Sequence, residues 1–356
     1  MILKKYSYAI YLVVVVGSIF LILEFVSLKI NRSRGIEFPF FFASGGSVEN
    51  RTDDGRFLSI DPHLGYARSD TERQVEKFRS RYPWYQGFAI YSNEPMDRLE
   101  RPLVLTLGGS TTDPLNYTSS WPEELAILLE EQGISGTVVN GAVGGYSSNQ
   151  ELLKLIRDGI EFHPDLVISY SGVNDRGRYG SLPHPMVHSY QRELLGSLVQ
   201  RGLPPVLPNT ISLLSSLWEG DEDRIRYTLG LETKRTLGEW YARNLSLMNA
   251  VAQASGARFI GIVQPNAYVG SYEWAADFRD NGKSAKYQAV IGSLYNEIEN
   301  LPAQADYVYS AIDIFDGIED VYLEDGIHNT EKGFRIIAEY VLELIRTETE
   351  ILGSSG

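Results

Sequence analysis

Leu103-Val104-Leu105-Thr106-Leu107-Gly108-Gly109-Ser110-Thr111-Thr112 is a short apolar run that stops at two glycines and three hydroxyl residues. A run of this length bounded by glycine reads as a buried strand, and the glycine pair lets the backbone turn tightly so that Ser110 projects above the sheet. A nucleophile is placed in this way. A Gly-Gly-Ser after a strand also occurs in plain turns and in loops that cradle phosphate, but a phosphate loop continues with Gly-Lys-Ser or Gly-Lys-Thr. Here Asp113 and Pro114 follow, which disfavours binding an anion.

The same texture continues outward from this stretch. Short apolar runs at Thr137 to Asn140, Leu166 to Tyr170, Arg258 to Val263 and Tyr307 to Ile312 alternate with longer amphipathic segments at Pro122 to Glu131, Asn149 to Gly159, about Glu232 to Ala254 and Lys283 to Glu299. In a last helix Phe334, Ile337, Ala338, Val341 and Ile345 share one face, with Thr330 placed to cap it. Strands alternating with helices imply an α/β fold: a doubly wound, mostly parallel five-stranded sheet of flavodoxin-like type, covered on both faces. Between 176 and 230 the rhythm breaks into a stretch rich in proline with His184, His188 and Trp218. It leaves from the carboxyl end of the third strand, where open α/β sheets bind ligands, so it reads as an insertion forming a lid or substrate wall.

Three further blocks lie at strand ends. Asn140-Gly141-Ala142-Val143-Gly144-Gly145-Tyr146-Ser147-Ser148 follows the second strand and can aim backbone N–H groups at developing negative charge. Ser171-Gly172-Val173-Asn174-Asp175 ends the third strand and offers the Asn174 amide at the same rim. Asp325-Gly326-Ile327-His328, just before the final helix, supplies a carboxylate and a base three residues apart.

In this order the four blocks resemble the SGNH/GDSL hydrolase (esterase/lipase) family, over roughly Pro102 to Ile345. The resemblance implies that Ser110 is the nucleophile, His328 the base and Asp325 its partner. It further implies an oxyanion hole of Ser110 N–H, Gly145 N–H and the Asn174 amide, with Gly144 as the competing assignment for Gly145. One departure stands out. The family's Gly-Asp-Ser is here Gly109-Ser110 preceded by Gly108, which removes a carboxylate beside the serine.

Other candidates read as structural. His163 precedes Pro164-Asp165 at the wrong end of the sheet. His184 and His188 are spaced like helical metal ligands, but Pro183 and Pro185 break any helix between them. His63 reads as a turn residue, Asp175 as a cap after its strand, and Thr111 and Thr112 as helix-start hydroxyls. Asp313 and Asp316 are minor substitutes for Asp325. No metal and no cofactor are implied.

The chain of 356 residues carries a formal charge of −14 and no clustered Lys or Arg. That argues against a nucleic-acid partner and favours neutral or cationic substrates over polyanions. Cysteine is absent, which excludes disulfides, thiolate metal sites and cysteine nucleophiles. Tyr6 to Leu28 is almost wholly apolar, interrupted by Glu24, long enough to cross a bilayer and longer than a usual signal-peptide core. The expected organisation is therefore a cytoplasmic stub and single transmembrane anchor at 1–30, a linker and irregular subdomain at 31–100, and a catalytic domain at 101–350 on the extracytoplasmic side. Lysines and arginines flank both ends of the apolar run, so charge alone leaves the orientation open. The aromatic residues between Phe78 and Tyr91 read as packing onto the main domain. The expected function is removal of an acyl group, acetyl first, from a carbohydrate or cell-envelope ester. An O-acyltransferase with the same residues and a silent glycan-binding component are the alternatives.

Overall fold

The computed structural model describes residues 15–27, 29–30, 58–61, 64–68, 81–92, 94, 98–115, 118–176, 235–269 and 284–352. The chain divides into two units, 1–55 with 191–234 and 56–190 with 235–356. The sheet and the site lie in the second. The expected insertion at 176–230 falls almost wholly outside the described residues, as do His63, His184 and His188.

The second unit opens with a two-stranded hairpin, β1 (Leu58–Asp61) against β2 (Gly65–Arg68). The main sheet holds β3 (Trp84–Tyr85), β4 (Phe88–Tyr91), β5 (Leu103–Gly108), β6 (Thr137–Asn140), β7 (Leu166–Ser171), β8 (Arg258–Val263) and β9 (Val308–Ser310), in the order β3-β4-β6-β5-β7-β8-β9. From β6 to β9 all pairs are parallel, and the order second, first, third, fourth, fifth is the doubly wound one with its switch point beside β5. The loop after β5 therefore stands at the crevice where such sheets bind ligands.

Seven strands replace the expected five. The two additions, β3 and β4, come from the aromatic stretch 84–91, which pairs antiparallel along the outer edge of β6, with Ile90 opposite Val139. Gln86 and Gly87 take φ of +48° and +79°, the pair of left-handed residues that a tight two-residue hairpin turn demands. The physical reason is the free row of N–H and C=O groups on β6, which a hairpin satisfies. Of the aromatic residues there, Trp84, Phe88 and Tyr91 are buried in the core through these strands and Tyr82 packs against it, whereas Tyr85 is exposed and Phe78 lies outside the described residues.

The helices are α1 (Trp121–Glu131), α2 (Ser148–Arg157), α3 (Leu237–Ala254), α4 (Ser284–Ile298) and α5 (Glu331–Glu348). Strand residues alternate between the two faces. Val104, Val138 and Ile168 pack with Trp121, Leu125 and Leu129 of α1 and Phe334, Ile337 and Val341 of α5. Leu105, Val139 and Val167 pack on the other face with Leu152 of α2, Leu245 and Met248 of α3 and Leu294 of α4. Each such buried side chain is worth about 1.5–3 kcal/mol over its exposed state. Thr330 caps α5 as expected, accepting a hydrogen bond from Gly333 N at 3.2 Å.

Of the expected membrane span only residues 15–27 are described as an unbroken helix. Among the described residues no helix is long and apolar enough to cross a membrane, so the expected transmembrane helix is not met there. A span needs about 20 consecutive residues.

Candidate active site

The loops after β5, β6 and β7 and the loop before α5 converge over the carboxyl edge of the sheet. Gly108 and Gly109 turn the chain out of β5, and the spaces beside them are already filled. A Cβ on Gly108 would lie 2.4 Å from Thr112 Oγ1 and 2.8 Å from the Tyr170 carbonyl oxygen. On Gly109 it would lie 2.5 Å from Asn174 Nδ2 and 3.1 Å from the Tyr146 carbonyl oxygen. Both positions thus require glycine for close approach rather than for an unusual φ. Thr112 N and Asp113 N then bond back to Gly109 O, at 3.1 and 3.0 Å, and hold the turn that presents Ser110. Thr112 does not cap a helix start. Its hydroxyl accepts the Trp121 indole N–H at 3.0 Å, and its carbonyl accepts the Asn140 amide at 2.7 Å.

Ser110 Oγ lies 2.7 Å from His328 Nε2. The other ring nitrogen, Nδ1, bonds to Asp325 Oδ2. Asp325 Oδ1 accepts the backbone N–H groups of Ile327 and His328 at 3.0 and 2.9 Å, which locks the carboxylate to its own loop. A left-handed Gly326, φ +68°, makes that loop possible. Two contacts hold it against the strand ends: Ala267 N donates to Gly326 O at 2.7 Å, and the Tyr268 hydroxyl to Asp325 O at 2.9 Å. Partial burial raises the Asp325 pKa, but the hydrogen bonds from His328 and Ile327 outweigh it and bring the carboxyl down to about 2.

A sign follows from that shift. A carboxyl lowered on folding adds stability that is full above its unfolded value of 3.8 and lost as pH falls through about 2. Asp325→Asn is therefore expected to lose stability to denaturant at neutral pH and to approach the wild type below about 2, in paired unfolding curves at the two pH values. Its half-exposed side chain keeps that contribution small.

On the donor side, Asn174 Nδ2 gives one hydrogen to Tyr146 O at 2.9 Å. The amide thus lies between the second-block loop and Gly109. Gly144 N is spent on Asp113 Oδ2 at 2.6 Å. Gly145, at φ +87°, donates its N–H to no group among the described residues. Of the two glycines weighed from sequence, Gly144 is the one whose N–H is bonded to a side chain within the fold.

The profile of the GDSL-like Lipase/Acylhydrolase family matches residues 106–336, a stretch that begins in β5 and ends in α5. The chain belongs to that family.

Solved structures with similar folds include a GDSL-like lipase from Bacteroides thetaiotaomicron, 16% identical, covering 69% of this chain and 89% of that one with a TM-score of 0.38. A mutant of an acetyl-xylooligosaccharide esterase from Geobacillus is 13% identical, covering 72% and 96%, with a TM-score of 0.43. A psychrotrophic esterase from Pseudoalteromonas is 15% identical, covering 69% and 98%, with a TM-score of 0.39. At such values the likenesses carry no argument about substrate. A search of curated proteins finds no match.

Within this GDSL-family domain the remaining sequence candidates separate. His163 is a left-handed residue whose carbonyl accepts Arg101 at 2.6 Å at the far end of β7. Asp313 and Asp316 are exposed, and the carboxylate on His328 is that of Asp325. No His or carboxylate cluster suited to a metal occurs among the described residues. Asp175 is fully buried and accepts the Ser148 N–H at 3.1 Å and the Ser148 hydroxyl at 2.5 Å, so it caps α2 rather than the loop after its own strand.

Sequence reasoning missed Glu151, which receives the Ser169 hydroxyl at 2.5 Å in the same buried cluster. Burial pushes Glu151 up to about 8, against the hydrogen bond from Ser169, and the nearby Asp175 adds to the rise. Burial likewise lifts Asp175 to about 7, against its bonds from Ser148. An acid raised on folding costs stability as pH climbs from its unfolded value. For Glu151 that window runs from 4.5 to about 8. Glu151→Gln is accordingly expected to flatten the decline of thermal stability between those pH values, read as melting temperature against pH. The only sequence sign of this cluster was the charge of Glu151 at a position whose helix neighbours Leu152 and Leu155 face the core.

Proposed function

We propose that the chain is a serine esterase that removes an acyl group, acetyl first, from a carbohydrate or cell-envelope ester through an acyl-enzyme on Ser110. One observation carries the reading: Ser110 Oγ at 2.7 Å from His328 Nε2, with Asp325 on the opposite ring nitrogen.

A serine hydroxyl is a poor nucleophile at neutral pH, so it needs a base in hydrogen-bond reach as it attacks. In this reading His328 Nε2 takes the Ser110 proton while Oγ adds to the acyl carbonyl. Asp325 fixes the imidazole tautomer and steadies the imidazolium, without itself becoming protonated. Negative charge gathers on the former carbonyl oxygen and is met by Ser110 N–H, Gly145 N–H and the Asn174 amide. Collapse of this intermediate expels the alcohol, which takes the proton from His328. Water, deprotonated by the same imidazole, then attacks the acyl-enzyme and frees the acid and Ser110.

Residues 6–28 are proposed to anchor the chain in a membrane with the domain extracytoplasmic. Supporting this is the helix at 15–27, whose apolar residues are exposed on several sides, Ile19 at 52%, Leu21 at 73%, Ile22 at 62% and Phe25 at 60%. A helix apolar all round suits lipid better than water. An anchored esterase meets substrates of the cell envelope, which motivates the polymer substrate.

The test is turnover of a chromogenic acetyl ester by the purified full-length chain, followed by the same assay with an acetylated oligosaccharide and an acceptor oligosaccharide. Release of free acetate supports the hydrolase. Mass gained by the acceptor identifies a transferase, and inertness toward every ester overturns the enzyme reading.

A further inference from the structure

Arg68 lies outside all four sequence blocks, at the end of the β1–β2 hairpin, yet its side chain is 2% exposed and reaches the turn that carries Ser110. Its Nη2 donates to Asp113 Oδ2 at 2.5 Å. The same oxygen accepts Gly144 N at 2.6 Å, while Asp113 Oδ1 accepts Leu115 N at 2.9 Å. The Asp113 side chain is fully buried. One carboxylate therefore ties three segments together: the nucleophile turn, the glycine loop that presents Gly145, and the hairpin.

The hairpin grips that loop a second way. Leu64, fully buried, packs on Val143 and Tyr146, the residues on either side of the Gly144-Gly145 pair. Gln150 Nε2 donates to Leu64 O at 2.7 Å, and Arg157 Nη1 to Asp61 Oδ2 at 2.6 Å, so α2 holds the hairpin from beneath. Tyr146 is also the residue whose carbonyl receives the Asn174 amide.

We propose that Arg68 and Asp113 are positioning residues for the oxyanion hole and that the β1–β2 hairpin is thereby a working part of the active site. The argument is geometric. Gly144 and Gly145 are adjacent glycines in the loop, and Gly145 sits at φ +87°, so the direction of its N–H is set by what holds its neighbours. Asp113 fixes the Gly144 N–H, and Leu64 and Asn174 fix Tyr146. Arg68 keeps Asp113 aimed, because its guanidinium holds the same carboxylate oxygen that accepts Gly144 N, and a buried ion pair that loses one partner must reorient. The inference rests on the esterase reading above.

Steady-state kinetics on a chromogenic acetyl ester, with the full-length wild type, Arg68→Met, Arg68→Lys and Asp113→Asn, tests it. Misplacing a donor by about an ångström costs roughly tenfold to a hundredfold, so kcat is expected to fall by that factor in Arg68→Met and Asp113→Asn with KM within about threefold. Affinity for a small alkyl boronic acid, which places an anionic oxygen in the hole, is expected to fall in parallel, and Arg68→Lys to recover part of both. A merely structural pair would lower thermal stability and leave the kcat and boronate affinity of the folded variants at wild-type values, which overturns the proposal. If the variants do not fold, amide exchange in the wild type decides. A Gly144 N–H protected far beyond exposed loop amides supports the pairing, and exchange at loop rates overturns it. An inert wild type removes the esterase reading and this inference with it, whereas an active wild type with undiminished variants removes the inference alone.

Discussion

Ser110→Ala is expected to lower kcat for a chromogenic acetyl ester by about 10⁵-fold to 10⁶-fold, with the fold intact. Ser110 Oγ is the hydroxyl that His328 Nε2 faces at 2.7 Å, and without it no acyl-enzyme forms. The alanine leaves the glycine turn, the Thr112 and Asp113 amide bonds to Gly109 O and the packing of β5 untouched, so melting temperature is expected to stay within a few degrees. His328→Ala is expected to cost about as much, and the double variant hardly more than either, because serine and base act as one unit and their effects do not add. A Ser110→Ala protein that keeps activity within about tenfold of the wild type would sink the assignment of the nucleophile. Loss of activity with wholesale unfolding would be traced by circular dichroism, and Ser110→Cys then serves as the second probe, retaining a nucleophile of similar size.

Asn174→Ala is expected to have the next largest effect, a fall in kcat of about 10²-fold to 10³-fold at nearly unchanged KM. The amide is worth most when charge has built on the substrate oxygen, so its loss is felt in the transition state and little in the ground state. Asn174 has a second, structural duty, since it donates to Tyr146 O at 2.9 Å. Breaking that bond removes an intramolecular hydrogen bond, at a cost of about 0.5–1.5 kcal/mol in stability. The two duties can be told apart. Combining Asn174→Ala with Ser110→Ala is expected to reproduce the stability loss while adding nothing to the loss of turnover. Should Asn174→Ala leave kcat untouched and lower only the melting temperature, the side chain belongs to the scaffold and not to the oxyanion hole.

Much of the fold was legible because strand periodicity and glycine turns are local. The parallel strands at 137–140 and 258–263 have the limits that the apolar runs predict, and Thr330 caps α5 as its hydroxyl and position require. The hairpin at 84–91 was not read as strand because its aromatic residues have no clear alternation, and only the Gln86-Gly87 turn, a weaker cousin of Asn-Gly, gave a sign. At the site, Ser110, Asn174, Asp325 and His328 were visible because each sits at the end of a periodic element in a short motif. Arg68 and Glu151 were not. A single arginine in a polar segment and a glutamate on an amphipathic helix look like surface residues until the burial of their heads is known.

The sequence by itself determined the succession of the parallel strands and the helices between them, the glycines that let the chain turn at 108 and 109, and the identity of the groups capable of acyl chemistry, since all of these depend on neighbours a few residues apart. Only the tertiary structure decided that a hydroxyl and an imidazole separated by 218 positions stand 2.7 Å apart. It likewise decided that Gly144 gives its N–H to Asp113, and that a hairpin far upstream props the glycine loop. Those are contacts between segments brought together by burial of the core, and no local pattern encodes which buried charge will meet which.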